Sequence, residues 1–115
     1  SLAGFIGAPG APAYCASKAA VRVWGEALRT DLAADSIDVS VICPGFVRSP
    51  MTDVNPFPMP FLMDADRAAR VIVRGLDRNR GRIAFPLPVY LTVCAIAALP
   101  PGVRVRLLRQ APRKP

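Results

Sequence analysis

The sequence contains no histidine, and its three cysteines are far apart. The lack of histidine excludes serine–histidine and cysteine–histidine catalytic arrangements and most catalytic zinc sites. Cys15, Cys43 and Cys94 form no C-x-x-C motif, and an odd number of cysteines argues against a disulfide-rich scaffold. We therefore expect neither a metal site nor a disulfide framework.

Acidic residues are scarce in the second half of the chain. Residues 1–66 carry four basic and seven acidic side chains, whereas residues 67–115 carry eleven basic side chains and one acidic side chain. A basic half can indicate binding to nucleic acid, to an anionic membrane surface or to a phosphate-bearing ligand. Arg78, Arg80 and Arg82 alternate with Asn and Gly, but no aromatic residue lies among them. Without interleaved aromatics or a recognised module, we predict no binding to nucleic acid.

The chain is long enough for one domain, because its 115 residues are 52% hydrophobic and can bury a small core. Residues 1–13 are rich in glycine and proline and predict a loop, and a helical pattern follows from Ala11 to about Ala34. Residues 37–42 alternate as a strand does, and Pro44 and Gly45 are expected to end it. The helix has apolar residues at intervals of three and four, predicted to be buried: Val21, Trp24, Leu28 and Leu32.

The second half predicts an irregular segment, a helix, a short strand and an apolar C-terminal region. Alternate prolines exclude an ordinary helix over residues 55–63. Asp64 is expected to cap a helix, Gly75 to be a close-packing point, and residues 82–85 to form a strand. The apolar residues 87–99 are fewer than the roughly 20 that a membrane-spanning helix needs, and the basic end of the chain is expected to fray. The predicted buried residues of the helix are Ala68, Val71, Ile72 and Leu76.

The motif with chemical meaning is Tyr14-Cys-Ala-Ser-Lys18, at the start of the first helix. Residues four apart lie on one face of a helix, one turn from each other. A lysine ammonium group favours the phenolate form of a nearby tyrosine, so the pair can act in general acid and base catalysis. An ordinary tyrosine followed by an exposed lysine one turn later is common, so the pair alone leaves a purely structural role open.

Ser1 lies thirteen residues before Tyr14, and the predicted strand ends in CPGFVRS. In this order and spacing the chain resembles the short-chain dehydrogenase/reductase family, closely over residues 1–52. The resemblance implies an α/β fold, the C-terminal part of a Rossmann-type doubly wound parallel sheet, with the N-terminal nucleotide-binding half absent. It divides the chain into a catalytic part, residues 1–85, and an apolar helix with a basic tail, residues 86–115.

The resemblance also implies a role for each matching residue. Tyr14 would exchange a proton with the substrate hydroxyl or carbonyl, Lys18 would support Tyr14 and hold the nicotinamide ribose, and Ser1 would polarise the carbonyl oxygen. The apolar residues of the 55–63 segment suggest a lipophilic substrate, although this segment could equally be a loop packed on its own core. The residues implied in binding NAD or NADP are Tyr14, Lys18, Pro44, Gly45, Val47, Ser49 and Thr52.

Two functions remain open at this stage. The first is an NAD(P)-dependent oxidoreductase that interconverts an alcohol and a carbonyl on a lipophilic small molecule, with this chain inactive and marginally stable by itself. The second is a truncated, non-enzymatic relative that serves as an oligomerisation or membrane-surface module. We expect a homo-oligomer in the full-length parent and a cytoplasmic location. For residues 86–115 we favour a C-terminal helix that covers the sheet or a dimer partner, followed by a solvated basic tail, and peripheral membrane contact is the alternative.

Overall fold

A computed structural model describes residues 1–110, and the tail predicted to fray lies outside these residues. Helices and strands alternate, which confirms the predicted α/β class. Short 3₁₀ turns at Leu2–Phe5 and Ala33–Asp35 flank the first helix. The other elements are α1 (Pro12–Leu32), β1 (Val41–Pro44), α2 (Pro50–Asp53), α3 (Ala65–Asp77), β2 (Arg82–Phe85), α4 (Leu87–Ala97) and α5 (Pro101–Leu108).

The sheet consists of β1 and β2, which are parallel, with Val41 opposite Arg82. The N–H of Val41 donates to the carbonyl of Gly81 over 2.9 Å. The predicted strand over residues 37–42 is therefore misplaced, because β2 begins at Arg82 and offers no partner to residues 37–40. Strand β2 lies where it was predicted.

Helix α1 has nearly the predicted bounds, and Leu28 and Leu32 of its predicted buried stripe are partly buried, but the prediction is wrong for Val21 and Trp24. Val21 and Trp24 are 57% and 66% exposed, whereas Cys15 is buried. The face of α1 that carries Gly25 packs on β1, and a Cβ atom at Gly25 would lie 2.7 Å from Cγ2 of Val41. The sheet thus approaches the small residues of α1 rather than the large apolar ones.

Helix α3 follows Asp64, as predicted, but the Asp64 carboxylate makes no capping bond to the helix. It accepts a hydrogen bond from Nε of Arg48 over 3.1 Å instead. Gly75 is a close-packing point, because a Cβ atom there would lie 2.7 Å from Cδ1 of Ile83. Leu76 is 50% exposed, so the prediction that it is buried is wrong. The core beneath α3 contains Met63, Ala68, Ile83 and Phe85, with Val47, Val71 and Ile72 packed against it.

The apolar residues after β2 form α4, which packs Val89 and Tyr90 on a second core cluster of Leu2, Val41 and Cys43. Helix α5 is tied to the end of α4 by Arg104, whose guanidinium group donates to two α4-terminal carbonyls over 3.0 Å. Within residues 1–110, no helix has both the length and the apolar composition needed to cross a bilayer. Large apolar side chains remain exposed on this helix pair: Leu87, Leu91, Val103, Val105 and Leu107.

Candidate active site

Tyr14 and Lys18 lie one turn apart near the start of α1. The Nζ atom of Lys18 is 5.5 Å from the centroid of the Tyr14 ring, and the ring is 46% exposed. Pro12 occupies the first turn of α1, where its missing N–H leaves no helix hydrogen bond unmade. The helix therefore presents a phenol and an ammonium group together at a solvent-accessible surface.

The segment that begins at Ser1 packs directly on the part of α1 that carries Lys18. A Cβ atom at Gly4 would lie 2.8 Å from the carbonyl carbon of Lys18, so only glycine permits this approach. The fold thus places the segment that begins at Ser1 against the backbone of Lys18.

The Ser1 hydroxyl oxygen accepts a hydrogen bond from the N–H of Ala3 over 3.1 Å and caps the turn that follows. Its own O–H makes no hydrogen bond to residues 1–110 and remains a free donor. No hydrogen bond within this range joins the side chains of Ser1, Tyr14 and Ser49 to one another.

The Phe5 ring lies close to two guanidinium groups, a feature that could not be predicted from the sequence. The guanidinium carbons of Arg22 and Arg82 are 4.5 Å and 4.8 Å from the ring centroid. Glu26 accepts hydrogen bonds from Arg82 and pairs with Arg22 one helical turn away. Tyr90 accepts a further bond from Arg82 over 3.1 Å. Only the spacing of Arg22 and Glu26 was visible in the sequence, because the other contacts join distant segments.

Pro44 and Gly45 lie at the carboxyl end of β1, the edge at which open α/β sheets bind ligands. The N–H of Gly45 donates to the carbonyl of Phe85 over 2.7 Å, so pairing with β2 continues past the strand. A Cβ atom at Gly45 would lie 3.5 Å from Cδ1 of Leu2. The Pro–Gly turn therefore adjoins the segment that begins at Ser1.

Val47, Ser49 and Thr52 form one hydrogen-bonded loop after this turn. Val47 forms a parallel bridge with Met63, and its carbonyl accepts the Thr52 hydroxyl over 3.0 Å. Ser49 and Thr52 cap α2 reciprocally, each side chain accepting from the other's backbone N–H. The Thr52 hydroxyl thus makes its hydrogen bonds within the loop. By contrast, the Ser49 O–H and the Val47 N–H have no acceptor in residues 1–110.

The proline-rich segment that follows this loop is irregular, as predicted. The rings of Phe46 and Phe57 are 6.2 Å apart, and Phe61 is 61% exposed. The carbonyl oxygen of the Asn55 side chain is buried without a hydrogen-bond partner in the described chain. Between Gly45 and Met63 the chain therefore offers polar groups on one short loop beside exposed apolar side chains.

Comparison with known proteins matches residues 1–56 to the short chain dehydrogenase family. An uncharacterized oxidoreductase from Myxococcus xanthus (strain DK1622) is 45% identical over 86 residues, which is 75% of this chain and 34% of that protein. A cyclopentanol dehydrogenase from Comamonas sp. (strain NCIMB 9872) is 39% identical over 89 residues, 77% of this chain and 32% of that protein. The matched region thus spans about a third of the length of these curated relatives.

Proposed function

The chain belongs, over residues 1–56, to the short-chain dehydrogenase family, and from that premise we propose that it carries the catalytic residues of an NAD(P)-dependent oxidoreductase. The reaction interconverts an alcohol and a carbonyl group. The observation that carries the proposal is the pairing of Tyr14 and Lys18 on one solvent-accessible face, with the Ser1 segment packed against Lys18.

In this proposal Tyr14 donates its phenolic proton to the carbonyl oxygen in reduction and takes a proton from the alcohol in oxidation. Lys18, whose ammonium group lies 5.5 Å from the centroid of the Tyr14 ring, holds the nicotinamide ribose in this proposal. Ser1 donates its free O–H to the same substrate oxygen and stabilises the negative charge that develops there. Tyr14 and Ser1 thus act on the same oxygen atom of the substrate, and Lys18 acts on the nucleotide beside it.

The loop after Gly45 suits the carbonyl oxygen of the nicotinamide carboxamide, because one such oxygen can accept two hydrogen bonds. The Ser49 O–H and the Val47 N–H are donors without partners in residues 1–110, and both follow the carboxyl end of β1. When bound there, NAD or NADP supplies or accepts the hydride. Thr52 acts indirectly, because its hydroxyl holds the carbonyl of Val47.

We propose that the phosphates and adenosine of the cofactor are held by sequence outside this chain. Residues 1–110 contain no glycine-rich turn between a strand and a helix, the arrangement that binds a pyrophosphate. Strand β1 pairs with β2 along one of its two edges. The backbone groups of successive residues in a strand point to opposite edges, so the N–H and C=O groups of Ile42 point to the edge of β1 that has no partner. That open edge can join a nucleotide-binding half through a further strand.

The substrate in this proposal is a lipophilic alcohol or ketone. Phe61 is exposed next to the loop, and the Phe46 and Phe57 rings lie close together beside it. Apolar side chains at a site with few polar groups favour a small apolar ligand. A relative whose name specifies cyclopentanol makes alicyclic alcohols the first compounds to assay.

The test is a fusion protein in which this chain replaces the matching region of the Comamonas cyclopentanol dehydrogenase. Oxidation of alicyclic alcohols is followed through NADH or NADPH formation, for the fusion protein and for the chain alone. We expect turnover by the fusion protein and none by the chain alone. Turnover by the chain alone would contradict the need for a nucleotide-binding half, and a fusion protein that binds NAD but shows no turnover would contradict the proposed catalytic role.

Two exposed apolar surfaces suggest further contacts of the parent protein. Val21 and Trp24 form an exposed apolar patch on α1, and we propose that it is a subunit contact in a homo-oligomer. The exposed apolar side chains of α4 and α5 lie among arginines, and we propose that these helices contact an anionic membrane surface. If only these contacts persist and no turnover is found, the chain is a non-enzymatic interaction module.

A further inference from the structure

A cleft of about 210 Å³ lies between α3 and the open edge of β2. Helix α3 contributes Val71, Arg74, Gly75 and Arg78 to its wall, and the following turn contributes Arg80. The turn is braced by Arg29, whose guanidinium group donates to the backbone and side-chain oxygens of Asn79 and to the carbonyl of Val39. The cleft is therefore built on a fixed turn, and nothing in the proposed reaction uses it.

The backbone of β2 offers unpaired hydrogen-bonding groups to this cleft. The carbonyls of Gly81 and Phe85 accept hydrogen bonds from Val41 and Gly45 of the β1 side. Every second residue of this stretch, including Ile83, therefore directs its backbone groups to β1. Alternation along a parallel strand turns the N–H and C=O groups of Arg82 and Ala84 the opposite way. An edge of this kind pairs readily with an added extended chain.

The cleft is also cationic. The guanidinium groups of Arg74, Arg78 and Arg80 line it, and none of them forms an ion pair with another residue in the range 1–110. No acidic side chain belongs to the wall of the cleft. Guanidinium groups bind carboxylates through paired hydrogen bonds, so these three favour an anionic occupant.

We propose that the open edge of β2 binds an extended acidic segment of a partner protein, which adds to the sheet as a third strand. The backbone of that segment pairs with Arg82 and Ala84, and its carboxylates contact the three arginines. Side chains of a strand alternate between the faces of the sheet, so acidic residues at every second position would reach the α3 side. A second copy of β2 is a poorer occupant, because it would bring arginines against arginines.

The probe is a short fluorescent peptide that alternates valine and glutamate, with a valine–glutamine peptide as its neutral control. Binding to the full chain is measured by fluorescence anisotropy. We expect the glutamate peptide to bind at least about tenfold more tightly than the glutamine peptide. Arg74→Gln/Arg80→Gln should reduce binding by at least about tenfold, whereas Arg67→Gln/Arg70→Gln, which removes equal charge from the same helix, should not.

Backbone pairing is tested with two N-methylated forms of the glutamate peptide, one methylated at every glutamate and one at every valine. Only one of the two sets of N–H groups faces β2, so one form should lose binding and the other should keep it. Equal binding by both forms would overturn strand addition. The proposal also fails if the glutamate peptide does not bind, if both arginine pairs matter equally, or if single-stranded oligonucleotide displaces the peptide at lower concentration than unlabelled peptide does.

Discussion

Arg82 joins four parts of the molecule through one side chain. Its guanidinium group covers the Phe5 ring, donates to Glu26 on α1 and donates to Tyr90 on α4. The hydrogen bonds and the charge of Glu26 outweigh desolvation and raise the pKa of Arg82 above its ordinary value. The residue therefore fixes the segment that begins at Ser1 against the helix that carries Tyr14.

Replacing Arg82 with methionine should lower the free energy of unfolding by about 2 kcal/mol, because charged hydrogen bonds and a cation–π contact are lost together. The matched control is Arg48→Met, whose partner Asp64 is largely exposed. That exposed pair should contribute no more than about 0.5 kcal/mol. Urea denaturation of both variants is the measurement, and equal losses would contradict a special role for Arg82.

Cys43 should make stability depend on pH in the alkaline range. Burial raises the pKa of its thiol above the ordinary value of 9.0, and the nearby positive charges lower it only in part. Above about pH 9 the unfolded thiol loses its proton while the folded one keeps it, so stability falls as the pH rises. The same stability is fully present below that pH, where both states hold the proton.

The free energy of unfolding should be measured by denaturation at about pH 8 and about pH 10. Between these two pH values it should fall more for the wild type than for the Cys43→Ala protein. Cys94→Ala keeps the buried thiol of Cys43 and should retain the full pH dependence of the wild type. A Cys43→Ala protein as pH-dependent as the wild type would show that other groups cause the effect.

At the scale of single elements, local sequence predicted where β2 and α3 lie, because the turn-forming Asn79–Arg80–Gly81 segment before β2 and the 3.6-residue period of α3 are local signals. It misplaced β1, because strand limits depend on the partner, and residues 37–40 have none. It misassigned the faces of α1, because Trp24 and Val21 follow a helical period that the two-stranded sheet does not cover. Which apolar face of a helix is buried depends on the other elements that pack on it, and the sequence of the helix alone does not contain that information.

The contact between α3 and β2 predicts the effect of filling Gly75. Gly75→Ala should destabilise the protein by about 1 kcal/mol, since overpacking against Ile83 exceeds the gain in helix propensity. Ile83→Val should lower the free energy of unfolding less in the Gly75→Ala protein than in the wild type. A double-mutant cycle measures this coupling. Gly102→Ala is the control, because nothing lies within 4 Å of its added Cβ atom. Stabilisation by Gly75→Ala would contradict the close packing.

Helices α4 and α5 should bind liposomes that contain anionic lipid and not purely zwitterionic liposomes. Apolar side chains such as Val103 and Leu107 are exposed beside Arg106, so insertion and charge attraction act together. Val103→Ser/Leu107→Ser should abolish co-sedimentation without affecting the core. The control Val21→Ser/Trp24→Ser, on the exposed patch of α1, should bind as the wild type does. Unchanged binding by the α5 variant would exclude this contact.

At the scale of the whole molecule, the candidate site was proposed from local spacing, whereas its surroundings depend on tertiary contacts. The spacing of Ser1, Tyr14 and Lys18 needed no tertiary information, because one helix carries two of these residues and the third precedes it. The Phe5 stack and the arginine cleft could not be predicted, because each joins segments far apart in sequence. The proposed division of the cofactor between this chain and other sequence rests on the lack of a glycine-rich turn between a strand and a helix in residues 1–110 and on the open edge of β1.

A two-stranded sheet with both outer edges open is marginal by itself, so the chain is expected to gain stability from further strands. The fusion protein supplies such strands at the β1 edge. It should therefore unfold at a higher temperature than the chain alone, and it is the form in which the chemistry of the site can be measured.

The most direct measurement is the turnover number of this fusion protein carrying Tyr14→Phe, a change that removes one hydroxyl group. The chain has two tyrosines, so Tyr90→Phe provides a control that removes the same group from the core contact with Arg82. We expect Tyr14→Phe to lower turnover by at least about a hundredfold, the usual contribution of a general acid or base, while Tyr90→Phe keeps most of the activity. Turnover by Tyr14→Phe at the level of the unmodified fusion protein would contradict the assignment of Tyr14 as the proton-transferring residue.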